Sequence, residues 1–321
     1  MKIENKKVVA VFSNVTTGKF LKHVKFVDKY TELNHMHEQD QSRYNPYVDC
    51  ALKSFKKWHP EIECVYINDD NLEEYLKLFG NPKLINSAVA QKFVIAAHVM
   101  EYYKADKLIV LDIDTITCSR FDEMLSDYEH DILASLNYNI QDKTEYFETP
   151  FYELEFEDGT KIKDSANLNS GVICFNNINA LKRCVELMLI HPNNFGEQGA
   201  FNELVWVEGT FKTRVLDAPY ITSDVVYNVR SKGVNFTNII FDLAINQPDR
   251  APINHYYVKD KKLFTHDHKH IKVWHIAEGL HGRPLNDFNR LTELYKTKIF
   301  NKETIKFLRE ECDCSDFFPP K

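Results

Sequence analysis

The chain has little glycine and no long apolar run. Only 10 of its 321 residues are glycine, against 22 phenylalanines and 16 tyrosines, so neither a glycine-rich phosphate-binding loop nor a disordered chain is expected. No apolar run approaches the roughly 18 residues that a membrane-spanning helix needs, and the first residues lack the apolar core of a signal peptide. We therefore expect a globular protein without a transmembrane segment, located in the cytoplasm.

Positive charge is also in deficit. The 40 lysines and arginines are outnumbered by 47 aspartates and glutamates, which gives a formal net charge of −7. A general nucleic-acid binder carries a basic face, so this balance argues against nucleic acid as a partner. If the ligand is a diphosphate, an acidic protein must supply local positive charge, and a metal ion would do so.

The seven cysteines do not form a disulfide pattern. They are odd in number and scattered, and several lie inside apolar runs, which is typical of reduced, buried thiols in a cytosolic protein. Cys312 and Cys314 lie one residue apart but lack a second pair of cysteines. A metal site is therefore not expected there.

Strand and helix patterns alternate along the first half of the chain. Apolar runs predict strands over 7–13, 62–67, 107–111 and 131–136. Helical spacing predicts helices over 47–58, 72–79 and 87–103. This alternation is typical of an α/β fold with a mostly parallel, doubly wound sheet flanked by helices.

The second half is less regular. Residues 137–168 are polar and aromatic, which favours a hairpin or lobe inserted over the sheet. A strand is predicted at 170–175, helices are predicted at 178–190 and 196–205, and two helical stretches follow residue 286. No repeat or low-complexity linker divides the chain, so we expect one domain with a decorated second half.

A buried-strand pattern ends in two aspartates within KLIVLDIDTITC, residues 107–118. Side chains alternate along an extended chain, so Asp112 and Asp114 face the same side. Paired carboxylates at a strand's carboxyl end suit a divalent cation, and open α/β sheets bind ligands in the crevice at such ends. The alternative is that Asp114 caps a turn and Asp112 only ends the strand.

Other polar segments accompany this pair in a defined order. They are the end of the first strand, Asn169-Ser170-Gly171, Glu197-Gln198, and the stretch from His275 to Pro284. The order and spacing resemble the retaining glycosyltransferases of family 8, which include glycogenin and bacterial lipopolysaccharide galactosyl- and glucosyltransferases.

The resemblance implies a GT-A fold over residues 1–285, with a nucleotide-binding half at about 1–136 and an acceptor-side half at about 137–285. Residues 286–321 would form a C-terminal helical extension. It also implies transfer of a hexose from a UDP-sugar, with Mn²⁺ or Mg²⁺, to a glycan, glycolipid or protein acceptor. In the family's proposed route the acceptor attacks from the leaving-group face, so no strong protein base is required.

The resemblance assigns the metal to Asp112, Asp114 and His275, and places Ile113, between the aspartates, at the nucleotide. His275 follows the apolar residues 271–274 and is expected to end a strand. Two carboxylates and an imidazole suit manganese better than calcium, whose ligands are normally all oxygen. The alternative is a core or surface histidine.

The segment after His275 departs from the family pattern. Glycine follows His275 by four residues rather than three, and Arg283-Pro284 is followed by leucine where tryptophan is usual. An arginine clamps phosphate well. Whether Arg283 or His281 reaches the diphosphate stays open.

By the same resemblance, Asn169 and the pair Glu197-Gln198 lie at the donor sugar. Gly171 would let the strand begin close to that sugar. An acidic residue near the positive charge that develops at the anomeric carbon is electrostatically reasonable. The alternatives are a turn before a core strand for Asn169 and the polar first turn of a helix for Glu197 and Gln198.

A last group is assigned to the nucleotide. Lys92 matches a position where the family often has a basic residue, although a solvated helix lysine is an equal alternative. Ser13, Asn14 and Asp69 follow the first two strands, where this fold holds the nucleoside.

Two other functions fit parts of the pattern. A sugar-nucleotide nucleotidyltransferase shares the α/β core and the metal, but usually begins with a glycine-rich basic loop that residues 8–19 lack. A glycan-binding scaffold on a decayed transferase fold fits the irregular segment after His275. The donor sugar, the acceptor and the oligomeric state stay open.

Overall fold

The computed structural model describes residues 6–15, 45–82, 88–136, 153–155, 161–163, 168–190, 196–216, 221–223, 256–265, 268, 270–275 and 301–315. Its strands are β1 (Val8–Asn14), β2 (Glu63–Asn68), β3 (Lys107–Leu111), β4 (Thr115–Thr117), β5 (Ile132–Leu136), β6 (Glu153–Glu155), β7 (Lys161–Lys163), β8 (Leu168–Phe175), β9 (Thr213–Leu216), β10 (Ile221–Ser223), β11 (Tyr256–Lys259), β12 (Lys262–Thr265) and β13 (Val273–His275). Its α-helices are α1 (Asn45–Trp58), α2 (Leu72–Leu78), α3 (Ala88–Tyr103), α4 (Asp122–Ser126), α5 (Ile178–Ile190), α6 (Gly196–Glu203) and α7 (Lys302–Glu310).

Six strands form the central sheet in the order β2-β1-β3-β8-β5-β9. The pairs β1–β2, β1–β3 and β5–β9 are parallel, whereas β8 is antiparallel to both β3 and β5. The predicted mostly parallel sheet is confirmed, with one correction: β8, from the second half of the chain, separates β3 from β5. Every residue of β8 is buried, as expected for a central strand covered on both faces.

Helices cover both faces of the sheet. On one face Phe93 of α3, Phe175 of β8 and Phe201 of α6 pack edge to face, with ring centroids between 5.9 and 6.4 Å apart. On the other face Phe12 of β1 packs against Phe55 of α1 at 5.7 Å. Aromatic pairs in this geometry add to the energy of apolar burial. The first cluster fixes α3 and α6 against β8, and all three elements carry side chains to the site.

A smaller sheet extends beyond β3. β4 begins directly after the aspartate pair and pairs antiparallel with β13, which pairs in parallel with β10. In this register His275 lies opposite Thr115. The preceding Trp274 is fully buried, which anchors the strand. The pairing therefore holds His275 beside Asp114, although 161 positions separate the two in the sequence.

The described parts of the second half agree with most expectations. β6 and β7 form an antiparallel hairpin inside the predicted inserted segment. α5 has the predicted bounds, whereas α6 passes at Leu204–Glu208 into a π-helical turn. α7 lies in the predicted extension, but its Phe307 is buried in the same core as Phe12. The predicted domain boundary at residue 285 lies outside the described residues.

The described residues include all seven cysteines. All seven cysteines are free thiols, and six of them are buried, which confirms the prediction of reduced, buried cysteines. Burial raises the pKa of Cys312 and Cys314 well above the ordinary thiol value. None of the described helices is both long enough and apolar enough to cross a membrane.

His59, just after α1, is a fully buried histidine outside the candidate site. Its Nε2 accepts a hydrogen bond from the Phe121 backbone N–H at 3.3 Å. Burial, aided by the nearby Arg120 guanidinium, lowers its pKa from 6.5 to about 4. The folded protein therefore holds this imidazole neutral.

The neutral state of His59 predicts a pH-dependent stability. A histidine whose pKa is lowered by folding stabilises fully above pH 6.5 and loses that contribution as the pH falls towards 4. From these two values, the loss at pH 5 is about 2 kcal/mol. Urea unfolding at pH 7.5 and pH 5 should show this extra loss in the wild type and not in His59→Gln. Equal losses in both proteins would contradict the assignment.

Candidate active site at the carboxyl edge of the sheet

The candidate site lies where the parallel strands β1, β2 and β3 end. Phe12 lies beside Leu111 and Asn14 beside Asn68 in the ladder, so the residues after these pairs meet at one edge of the sheet. Ser13 and Asn14 are the last two residues of β1 rather than part of the following loop. Buried Asp69 directly follows β2. This edge is the ligand crevice of an open α/β sheet.

The turn after β3 is closed by hydrogen bonds to the Asp112 backbone carbonyl. The Asp112 carbonyl accepts hydrogen bonds from the Thr115 N–H at 3.3 Å and the Thr115 hydroxyl at 2.6 Å. The turn is thus closed through backbone and hydroxyl groups, which weighs against the reading of Asp114 as a mere cap. The Ile113 side chain is buried in the core, so only its backbone faces the edge. If Ile113 contacts the nucleotide as predicted, it does so through its main-chain atoms.

His275 reaches the aspartates from β13. Its Nε2 lies 3.1 Å from Asp114 Oδ1 and 3.6 Å from Asp112 Oδ2. One ligand atom from each of the three residues lies within 4.8 Å of the others. Asp114 and His275 are buried, and the Asp112 side chain is 25% exposed. Within the described residues this is the one group of three His, Cys, Asp or Glu side chains placed to share a metal ion.

The electrostatics of the trio favour a cation between its members. Burial alone would lower the pKa of His275, but the Asp114 and Asp112 carboxylates outweigh it and raise the pKa. The two carboxylates thus stabilise positive charge at the point where they converge. Two carboxylates and one imidazole form a mixed oxygen and nitrogen donor set, which suits manganese better than calcium. The residues present therefore fit a divalent metal.

Lys92 is buried at the centre of the site rather than solvated on its helix. Its ammonium lies 2.7 Å from Asp112 Oδ1 and 3.2 Å from Glu197 Oε1. It also donates to the Ser170 carbonyl at 3.0 Å. Burial opposes the charged form, but the two carboxylates outweigh it and raise the pKa of Lys92. The equal alternative of a solvated lysine is therefore wrong.

The start of β8 and the first turn of α6 meet beneath Lys92. The Ser170 hydroxyl donates to Glu197 Oε1 at 3.0 Å, with Gln198 Oε1 at 3.3 Å. Glu197 is buried and Gln198 is half-buried. An acidic side chain in the first turn of a helix is stabilised by the helix dipole. Glu197 does lie in the polar first turn of a helix, as the alternative has it, and it is in addition paired with the buried Lys92.

Asn169 and Gly171 lie in the first half of β8 and are joined by a side-chain hydrogen bond. The Asn169 Oδ1 accepts the Gly171 N–H at 2.6 Å, and the Gly171 carbonyl accepts the Asp112 N–H at 2.9 Å. The alternative of a turn before the core strand is therefore wrong, because β8 already begins at Leu168. The bond between Gly171 and Asp112 places the first half of β8 directly against that aspartate.

Comparison with known proteins adds likenesses of overall shape. No known family model matches the chain, and no curated protein sequence is detectably similar to it. The solved structures it resembles are glycosyltransferases. The galactosyltransferase LgtC, solved with donor and acceptor sugar analogues, is 15% identical over 93% of this chain and 99% of its own, with a TM-score of 0.41.

Two further likenesses are equally distant. GlyE of Streptococcus pneumoniae TIGR4 is 13% identical over 92% of this chain and 66% of its own, with a TM-score of 0.42. Mouse xyloside xylosyltransferase 1 is 11% identical over 87% of this chain and all of its own, with a TM-score of 0.39. At this distance the likenesses leave function undecided, so the function depends on the side chains of the site.

Most of the predicted site residues lie in the described part of the chain. The structure brings together one cluster, consisting of Lys92, Asp112, Asp114, Asn169, Glu197, Gln198 and His275. Ser13, Asn14 and Asp69 lie along the same sheet edge. Arg283 and His281 lie outside the described residues.

Two further residues carry contacts that sequence reasoning missed. Ser170 links Lys92 to Glu197, and its position inside the quoted Asn169-Ser170-Gly171 motif was the available signal. Tyr66 of β2 is hydrogen-bonded to the Asn14 and Asn68 side chains at the predicted nucleoside end of the edge. Nothing in the sequence around Tyr66 distinguishes it from the other tyrosines.

The Lys92 network predicts a large stability effect. Lys92→Met removes the cation between two carboxylates, and breaking such a buried pair from one side typically costs about 3–5 kcal/mol. Lys182→Met is the matched control, because its ion pair with Glu101 at 3.1 Å is exposed and such pairs contribute about 0–1 kcal/mol. Urea unfolding would measure both.

A second substitution separates charge from packing. Adding Glu197→Gln to Lys92→Met removes one of the stranded carboxylates and should restore part of the lost stability. If Lys92→Met costs no more than Lys182→Met, the buried ion-pair network is wrong.

Proposed function

We propose that the protein is a divalent-metal-dependent glycosyltransferase that moves a hexose from a UDP-sugar to a hydroxyl acceptor with retention of configuration. The observation that carries the proposal is the convergence of Asp112, Asp114 and His275 at the carboxyl edge of the sheet. A metal trio at this edge, beside a buried carboxylate held by a lysine, suits a ligand with both a diphosphate and a sugar.

Asp112, Asp114 and His275 would hold the metal, with Mn²⁺ preferred and Mg²⁺ as the alternative. When bound, the cation supplies positive charge to the diphosphate leaving group. The chain is acidic overall, with a net charge of −7. Among the described residues, Lys92 is the lysine that binds carboxylates of this cluster, and its charge is already shared between Asp112 and Glu197.

Lys92 orients two carboxylates at once. It binds Asp112 Oδ1, which leaves Oδ2 as the oxygen closer to His275. It also binds Glu197 Oε1, while Glu197 Oε2 is buried without a hydrogen-bond partner among the described residues. An unpartnered buried carboxylate oxygen is costly unless a ligand uses it. We assign Glu197 Oε2 to the sugar, where its charge opposes the positive charge developing at the anomeric carbon.

The remaining predicted residues are assigned to parts of the donor along the carboxyl edge of the sheet. Asn169 and Gln198 lie on the sugar side, and Ser13, Asn14 and Asp69 lie along the nucleoside side. Arg283 is assigned to the diphosphate. The acceptor hydroxyl attacks from the face the diphosphate leaves, and its proton passes to the departing phosphate oxygen. This route requires no protein base and fits a site whose carboxylates are engaged by Lys92 and His275.

Loss of one metal carboxylate should abolish donor turnover. Asp114→Asn keeps the shape of the side chain but removes a charged ligand, so UDP release from UDP-sugars in the presence of Mn²⁺ should fall to background. Asp122→Asn on α4 is the matched control, because Asp122 is exposed and pairs only with Arg120 among the described residues. It should keep full activity.

The same assay, run over a panel of UDP-sugars with and without Mn²⁺, identifies the donor. Metal-dependent turnover of one donor supports the transferase, and the anomeric coupling in the ¹H NMR spectrum of the product tests retention. Tight UDP binding without turnover would instead favour a scaffold. Formation of a UDP-sugar from a sugar 1-phosphate and UTP, with release of diphosphate from the UTP, would favour a nucleotidyltransferase.

Glu197 predicts an effect on the chemical step. Glu197→Gln keeps an amide oxygen for Ser170 but removes the charge, so kcat should fall about 100-fold, as for loss of one electrostatic group at a developing charge. The KM for the donor should change little. Glu186→Gln on α5, an exposed glutamate paired with Arg183, is the control. A kcat within twofold of the wild type would remove Glu197 from the mechanism.

A further inference from the structure

Gly171 is a glycine whose backbone does not require glycine. It lies inside β8, and its φ is not in the left-handed region that other residues avoid. By contrast, Gly80 and Gly209 have φ of 79° and 58°, with open space where a side chain would be. The reason for glycine at position 171 is therefore spatial rather than conformational.

The missing side chain leaves room for His275. A Cβ built on Gly171 would lie 2.6 Å from His275 Cε1 and 2.7 Å from His275 Nδ1. It would also lie 2.8 Å from Asn169 Oδ1. Carbon atoms in contact are normally 3.5–4.0 Å apart, so a methyl group would force a shift of roughly 1 Å. The space that the sequence argument gives to the sugar is filled by the imidazole.

Of the two obstructing groups, Asn169 is held directly to the glycine. Its Oδ1 accepts the Gly171 N–H at 2.6 Å, so this contact lies within β8 itself. The imidazole is held from the opposite side by Asp114 Oδ1 at 3.1 Å. Its Nδ1, which faces the glycine, has no hydrogen-bond partner among the described residues. The ring is therefore kept in place by packing on this side, and a methyl group would displace it.

We propose that Gly171 is a positioning residue for His275, which sets the imidazole at the distance from Asp112 and Asp114 that metal binding requires. The metal part of this inference rests on the proposed function. Metal–ligand distances tolerate deviations of only about 0.2 Å, so a shift several times larger removes His275 as an effective ligand. Changes to groups that orient a metal ligand typically weaken metal affinity by about 10- to 100-fold.

The test is Gly171→Ala in the full chain, measured by Mn²⁺ titration with electron paramagnetic resonance of the free ion. The variant should bind Mn²⁺ about 10- to 100-fold more weakly than the wild type. His275→Ala should weaken binding at least as much, and the double variant should be no worse than His275→Ala alone. If Gly171→Ala binds Mn²⁺ as tightly as a Mn²⁺-binding wild type, the inference is wrong while the proposed function stands.

A second readout needs no metal. In metal-free protein, Gly171→Ala should lower the melting temperature by several degrees in the wild type and by clearly less in the His275→Ala background, where only the contact with Asn169 Oδ1 remains. If the wild type binds no Mn²⁺, the proposed function fails and this cycle alone decides the steric inference. Equal decreases in both backgrounds would overturn it, because the methyl group would then collide with something other than the ring.

Discussion

Charge compensation around Asp112 is the constraint on which the candidate site depends. Asp112, Asp114 and Glu197 place three carboxylates at one end of a covered sheet. Burying such groups without partners costs far more than the few kcal/mol by which a protein is stable. Lys92 offsets two of them, and the His275 Nε2 lies 3.1 Å from the third. The carboxylates are thereby kept close together, which is the condition for sharing a divalent cation.

The antiparallel direction of β8 is what makes this compensation possible. Parallel strands bring their carboxyl ends to the ligand edge, so a parallel strand here would deliver Phe175 to the site. Because β8 runs the other way, its beginning lies beside Asp112, and Ser170 and Gly171 reach the edge instead. The strand thus supplies a carbonyl for Lys92, a hydroxyl for Glu197 and a gap for His275.

The sequence predicted individual strands and helices well, because each of them depends mainly on the residues within it. The apolar run before Asp112 is a buried strand, and the helix 178–190 has the predicted bounds. The direction and place of β8 were not predictable in this way. Its eight residues are buried on both faces, so their periodicity carries no information about which strands they pair with.

The site residues also differ in how far the sequence alone could predict them. The aspartate pair follows from alternation along one strand, so the sequence was sufficient to find it. The grouping with His275 follows from pairing between β4 and β13, and only the family resemblance pointed to it. The roles of Lys92 and Gly171 depend on distances between elements, which no spacing in the sequence encodes. A helix lysine and a strand glycine have many uses, and their neighbours across the fold decide between them.

The choice of lysine at position 92 follows from the geometry of its partners. Asp112 Oδ1, Glu197 Oε1 and the Ser170 carbonyl come from three separate elements and surround one point. An ammonium offers three donors around a compact charge, whereas the planar fork of arginine suits two oxygens of one carboxylate. One ammonium therefore holds both the carboxylate that faces the proposed metal and the carboxylate assigned to the sugar. Because both are fixed to the same atom, displacement of either one alters the other.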